Sequence, residues 1–107
     1  MKTISITVTH AILEKAIPRD RKRCLVALLL REATGHTWNI CRRWGDGRGD
    51  GFRATDCDDG HVKPWNVSKT VAALIVRFDA SADSAPFLGM VIRIPARLVP
   101  QPEKEAP

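Results

Sequence analysis

The sequence predicts an α+β two-layer domain ordered β-α-α-β-β-α-β, a mostly antiparallel sheet packed by about three helices. Three observations carry that expectation. Residues 20–35, DRKRCLVALLLREATG, read as one helix that is apolar nearly all round, and such a helix has to be buried. Lys2 to Val8 alternates polar and apolar residues, the period of a half-buried strand. Val71, Leu74, Ile75 and Phe78 recur at i, i+3, i+4 and i+7, the stripe of an amphipathic helix. At 107 residues the chain has the size of one domain. That domain is expected over residues 1–94, followed by a proline-rich flexible tail over 95–107.

The elements follow in chain order. In the first strand Ile4, Ile6 and Val8 face one way and Thr3, Ser5 and Thr7 the other, with β-branched residues throughout. Thr9 caps a short helix from His10 to Ile17, whose inward face is Ile12, Leu13 and Ala16. Pro18 stops it, because proline disfavours helix in the residue before it. Asp20 then caps the long helix and Gly35 ends it, since a residue without Cβ turns left-handed cheaply.

Thr37 to Trp44 reads as a second strand, with Trp38, Ile40 and Arg42 on one face. The turn GDGRGDG, residues 45–51, returns the chain antiparallel into a third strand, Phe52 to Thr55. Asp58-Asp59-Gly60 marks another turn, and Pro64 confines any strand between His61 and Val67 to a sheet edge. Ser68 caps the third helix. Leu88 to Ile94 is the last strand, with Leu88, Met90, Ile92 and Ile94 on one face. From Pro95 onward the chain has too little apolar surface to order itself.

Composition narrows the class. Hydrophobic residues make up 44% and charged residues 27%, as in ordinary globular domains. The longest apolar run, Cys24 to Leu30, is far shorter than the roughly 20 residues of a membrane span. The start, MKTISITVTH, lacks the apolar stretch of a signal peptide, so a cytoplasmic place in a host cell is expected, without membrane contact. Cys24, Cys41 and Cys57 are an odd count with no C-x-x-C pair, which fits thiols in a reducing compartment.

The formal charge is +5, which favours nucleic acid or an acidic protein surface as partner. Two basic groups stand out. Arg19, Arg21, Lys22 and Arg23 crowd the start of the long helix, the end at which the macrodipole disfavours cations by about 0.3–1 kcal/mol each. Such a broken local rule often marks a working surface, and bases beside free helix N–H groups would make an anion site. The plainer reading is a solvated end whose long stems cover apolar surface. The second group, Arg42, Arg43, Arg48 and Arg53 with Trp44, surrounds the hairpin. Arginine beside aromatic residues suits both base stacking and protein hot spots. Asp46, Asp50, Asp56, Asp58 and Asp59 lie nearby and weaken the case for nucleic acid.

Other chemistries find less support. Asp46, Asp50 and Gly51 match three positions of a calcium loop, but Arg48 and Cys57 fall where ligands belong. His36, Cys41, Cys57 and His61 have a zinc-like layout in two pairs. His36 and Cys41, however, would stand about 17 Å apart along an extended strand. No G-x-S-x-G, H-E-x-x-H or G-x-G-x-x-G pattern occurs. No cofactor and no catalytic residues are therefore expected.

ISITVTHAILEKAIPRDRKRCLVALLLREATG resembles the opening of small proteins from phages and prophages. Those often begin with a strand like ITVT, a short helix, and a D-x-x-x-C segment leading into an apolar helix. Here that segment runs from Asp20 to Cys24. VRFDA, residues 76–80, followed by Ala85-Pro86-Phe87 resembles their closing pattern. Leu25 stands where those proteins often carry proline. The resemblance brings no activity with it. It implies an accessory protein that binds a host protein or ribonucleoprotein, with a CRISPR effector among the partners, as anti-CRISPR inhibitors do. Direct binding of nucleic acid is the alternative.

Overall fold

A computed structural model describes residues 2–42, 51–58, 60, 62–81, 83 and 85–99. The elements are β1 (Thr3–Thr7), α1 (His10–Lys15), α2 (Leu25–Thr34), β2 (Trp38–Arg42), β3 (Phe52–Asp56), β4 (Trp65–Asn66), α3 (Lys69–Ala80) and β5 (Val91–Pro95). Short 3-10 turns at Ala85–Phe87 and Ala96–Leu98 flank β5. The chain is α+β, with three helices on antiparallel strands. The strands divide into two sheets, β1-β5 and β2-β3-β4.

The buried α2 explains this arrangement. Leu25, Val26, Leu29 and Leu30 are at most 1% exposed, and α2 packs against α1, α3, β1 and β2. One helix thus touches a strand from each sheet and joins them through side chains. Its end is as expected: Gly35 adopts the left-handed conformation at φ 77°, and its N–H donates to the Arg31 carbonyl. Its start differs. The helix begins at Leu25 with Cys24 at the cap, while Asp20 closes a separate turn before it.

The capping residues of the other helices act as expected. Thr9 accepts from the Ile12 N–H and Ser68 from the Val71 N–H. Ile12 and Leu13 of α1 are buried, as is the α3 stripe Val71, Leu74, Ile75 and Phe78. In β2 and β3 the alternation puts Trp38, Ile40, Phe52 and Ala54 inside. β4 is an edge strand just after Pro64.

Two expectations need correction near the C-terminus. Leu88 is not on the last strand. It lies in a turn made by Gly89 at φ 82° and is 53% exposed. The ordered domain also does not stop at residue 94. Leu98 is 1% exposed, the Ala96 N–H donates to the Lys2 carbonyl, and Arg97 donates to the carbonyls of Lys63 and Pro64. The Ala96 backbone, the Arg97 guanidinium and the buried Leu98 together hold this segment against the domain. The expected flexible tail over 100–107 lies outside the described residues.

Candidate protein-interaction surface

The segment Ile17–Cys24 forms a closed loop. The Ile17 N–H donates to the Arg23 carbonyl at 2.8 Å, which fastens its two ends together. Inside it, the Asp20 carboxylate accepts from the N–H groups of Lys22 and Arg23 at 2.9 and 3.0 Å. This is the habit of aspartate in turns, where its short side chain replaces a backbone acceptor. The Cys24 N–H returns to the Asp20 carbonyl at 2.9 Å.

Two contacts anchor the loop to the rest of the fold. The Arg19 N–H donates to Asp79 on α3 at 2.8 Å. The Ile40 N–H of β2 donates to the Arg21 carbonyl at 2.8 Å. Arg19 sits at φ 65°, a conformation that costs a residue with a Cβ roughly 1–2 kcal/mol. The loop holds that conformation because its neighbours on both sides are fixed by these bonds.

The side chains of Arg19, Arg21, Lys22 and Arg23 therefore project from a fixed backbone. All four residues are exposed, and none of them forms an ion pair among the described residues. Asp20 and Asp79 spend oxygens on backbone N–H groups instead. The bases do not lie in the first turn of α2, as the sequence had suggested, because they precede its cap. The first residues of α2 are buried, whereas the bases that precede its cap are exposed. The expected composite of bases and helix N–H groups is thus not formed, and the four bases stand apart from the helix start.

The loop borders an open groove of about 700 Å³, which also involves Ile40, Cys41, Phe52 and Val76. The basic loop and the turn-side end of β2 and β3, apart in sequence, meet there. Ile17 and Val76 are 43% and 49% exposed, adding apolar surface beside the charge. Cys24 lies at the groove floor, 4% exposed. Burial pushes its thiol up to about 11, against a smaller downward pull from the N–H groups of Ala27 and Val26. A thiol so protonated is a poor nucleophile.

The hairpin half of the expected set is only partly described. Arg53 is exposed and lies opposite Cys41 and Asn66, on the face of the sheet away from the core. Arg42 closes β2 opposite Phe52; of its side chain nothing is described. Arg43, Trp44 and Arg48 lie outside the described residues, as do Asp46 and Asp50 of the calcium-like loop and His61 of the zinc-like layout.

His36 Nδ1 lies 2.6 Å from an oxygen of Asp56, whose side chain is fully buried. No group of three or more His, Cys, Asp or Glu residues that could hold a metal ion occurs among the described residues. The sequence reading missed this pair, and also the Asp79 anchor. The first could have been found from strand register, since Asp56 pairs with Trp38, two residues after His36. Nothing local marks Asp79. No family model, curated protein or solved structure matches the chain.

Proposed function

We propose that this chain is a non-enzymatic binding protein that grips an acidic surface on a host protein or ribonucleoprotein with Arg19, Arg21, Lys22 and Arg23. One observation carries the reading: four exposed bases without ion pairs among the described residues stand on a loop whose backbone is hydrogen-bonded at both ends and to two other elements. Ordering long side chains costs entropy on binding, and a fixed backbone reduces the part of that cost that falls on the loop. Arginine forks make paired contacts to carboxylates, and exposed Ile17 and Val76 offer apolar surface beside them.

A protein surface suits this site better than bare nucleic acid. Asp20 and Asp79 line the same groove and would repel a continuous run of phosphates. The resemblance to phage proteins directs the reading to host defence, with a CRISPR effector as the first partner to test.

The variant Arg21→Glu, Lys22→Glu, Arg23→Glu tests the site. From nuclease-treated host lysate, the unmodified chain should retain a partner that the reversed variant loses. A partner held equally by both removes the loop from the interface. Nucleic-acid binding that weakens steeply with salt, with no nuclease-resistant partner, would replace this reading with the alternative. Expression in cells with an active CRISPR system should restore plating of a targeted phage; unchanged plating removes that partner.

A further inference from the structure

β1 and β5 form a two-stranded sheet, so β5 has one neighbouring strand. The register shows which backbone groups β1 uses. The Val8 N–H donates to the Met90 carbonyl at 2.8 Å, and the Ala96 N–H to the Lys2 carbonyl at 3.0 Å. These bonds lie just outside the pairs Thr7–Val91 and Thr3–Pro95, which makes both of them the non-hydrogen-bonded kind in an antiparallel ladder. By alternation Ser5–Arg93 is of the same kind. The N–H and C=O groups of Val91 and Arg93 therefore point away from β1. Neither residue has a backbone hydrogen bond on that side among the described residues. Pro95 has no N–H to offer there, which ends the usable edge.

A groove of about 570 Å³ runs between this stretch and α3, with Thr70, Leu74 and Arg77 on one side and Met90, Val91 and Arg93 on the other. No residue of β1 lines it. Val91 is 58% exposed and Leu88 beside it 53%. Among the described residues, the charged ones along the groove are Arg77 and Arg93, and no carboxylate lines it. The Arg77 guanidinium lies over the Phe87 ring, 5.8 Å from its centre, which fixes one positive charge at the rim.

We propose that this groove captures an extended peptide segment of another protein, with acidic and apolar residues in alternation, which adds as a third strand along Val91–Arg93. Main-chain hydrogen bonds to a free edge supply affinity in such additions, and alternate side chains supply specificity. Because side chains alternate along β5, one row of the added strand meets Val91 and Arg93 on the exposed face, and the other, the apolar row, lies towards Met90, Ile92 and Leu74. A second copy of this chain is a poor occupant. Pairing β5 with itself about a two-fold axis at Ile92 sets Val91 opposite the copy's Arg93, and the strand Val91–Pro95 brings no carboxylate to either arginine. This surface is separate from the basic loop, so either site can fail while the other stands.

The test uses the whole chain, labelled for amide NMR, and an eight-residue peptide alternating valine and glutamate. A peptide with lysine in place of glutamate is the control. The glutamate peptide should shift the Val91 and Arg93 amides and slow their hydrogen exchange, while the lysine peptide should do neither. Arg93→Glu should weaken binding about tenfold. Val91→Pro, which removes an N–H that β1 does not use, should abolish binding and leave the β1–β5 amides protected. If that variant unfolds, the exchange measurement on the unmodified chain decides alone. Equal binding of both peptides, no shift at millimolar glutamate peptide, or shifts confined to residues 17–24 would overturn the proposal. So would protection of Val91 and Arg93 in the free protein through self-association.

Discussion

The two flanks of α3 face two strands whose edges are treated differently. Beside Val76 and Asp79, the chain itself covers part of the edge of β2, through the Ile40 N–H bonded to the Arg21 carbonyl. Beside Thr70 and Arg77, no described residue hydrogen-bonds to the outer edge of β5. Among the described residues, the groove on the covered side mixes Arg19 and Arg21 with Asp20 and Asp79, whereas the groove beside β5 has arginines and no acid. The lesson concerns what closes a strand edge. Neither β2 nor β5 carries the edge lysine that often guards such strands. β2 is guarded because a hydrogen-bonded loop reaches it. β5 has only Pro95 at its far end.

The contrast can be broken at several points. The largest effect should come from Trp38→Ala. Trp38 is fully buried on β2, and its indole N–H donates to the Thr34 hydroxyl of α2 at 2.8 Å. Its loss should cost about 3–5 kcal/mol in urea unfolding. A loss under about 1 kcal/mol would mean that the covered flank does not depend on the α2–β2 contact.

Cys24 comes next, through pH. Its ordinary value is 9.0, and burial in the fold raises it to about 11. The unfolded chain therefore gives up this proton first. The stability Cys24 contributes is complete below pH 9 and falls as the pH rises towards 11, on the order of 2–3 kcal/mol in all. Cys24→Ala should lack that part of the alkaline decline. Parallel pH–stability curves for the two proteins would refute the burial of this thiol.

Asp20→Ala removes the acceptor for the Lys22 and Arg23 N–H groups and should cost about 0.5–2 kcal/mol. It should also speed hydrogen exchange at those two amides without changing Val91 or Arg93. Exchange that quickens on both flanks alike would erase the distinction between them. The smallest effect is expected for Arg19→Gly. Relief of the positive φ should stabilise the fold by up to about 1 kcal/mol, net of the added freedom of glycine when unfolded. The same change should weaken the partner of the basic loop and leave the peptide site on β5 untouched.

Much of the fold was legible in single residues and their spacing. Thr9, Ser68 and Gly35 work within one turn of chain, so their roles follow from local chemistry alone. The stripe from Val71 to Phe78 and the alternation in β1, β2 and β3 follow from element period. Asp20 shows the limit. Its capping chemistry was correctly read, but it caps a turn before the helix, because a side-chain cap looks the same in sequence whichever of the two follows. Leu88 fits the alternation of β5 and is still outside it, since the left-handed Gly89 turns the chain before the strand starts. For the candidate surface, the bases Arg19, Arg21, Lys22 and Arg23 were found from charge alone. Their anchors, Asp79 and Ile40, were not, because each is remote in sequence.

The sequence by itself determined the kinds of element, the caps at Thr9, Ser68 and Gly35, and the burial of Leu25, Leu29 and Leu30, since propensity, period and hydrophobicity act over a few residues. Tertiary structure decided that the strands split into two sheets and that the basic loop covers the β2 edge while β5 remains open. It also decided that Leu98 completes the core. These outcomes depend on which distant backbone groups and side chains come within hydrogen-bonding or packing distance, and no short window of sequence contains both partners.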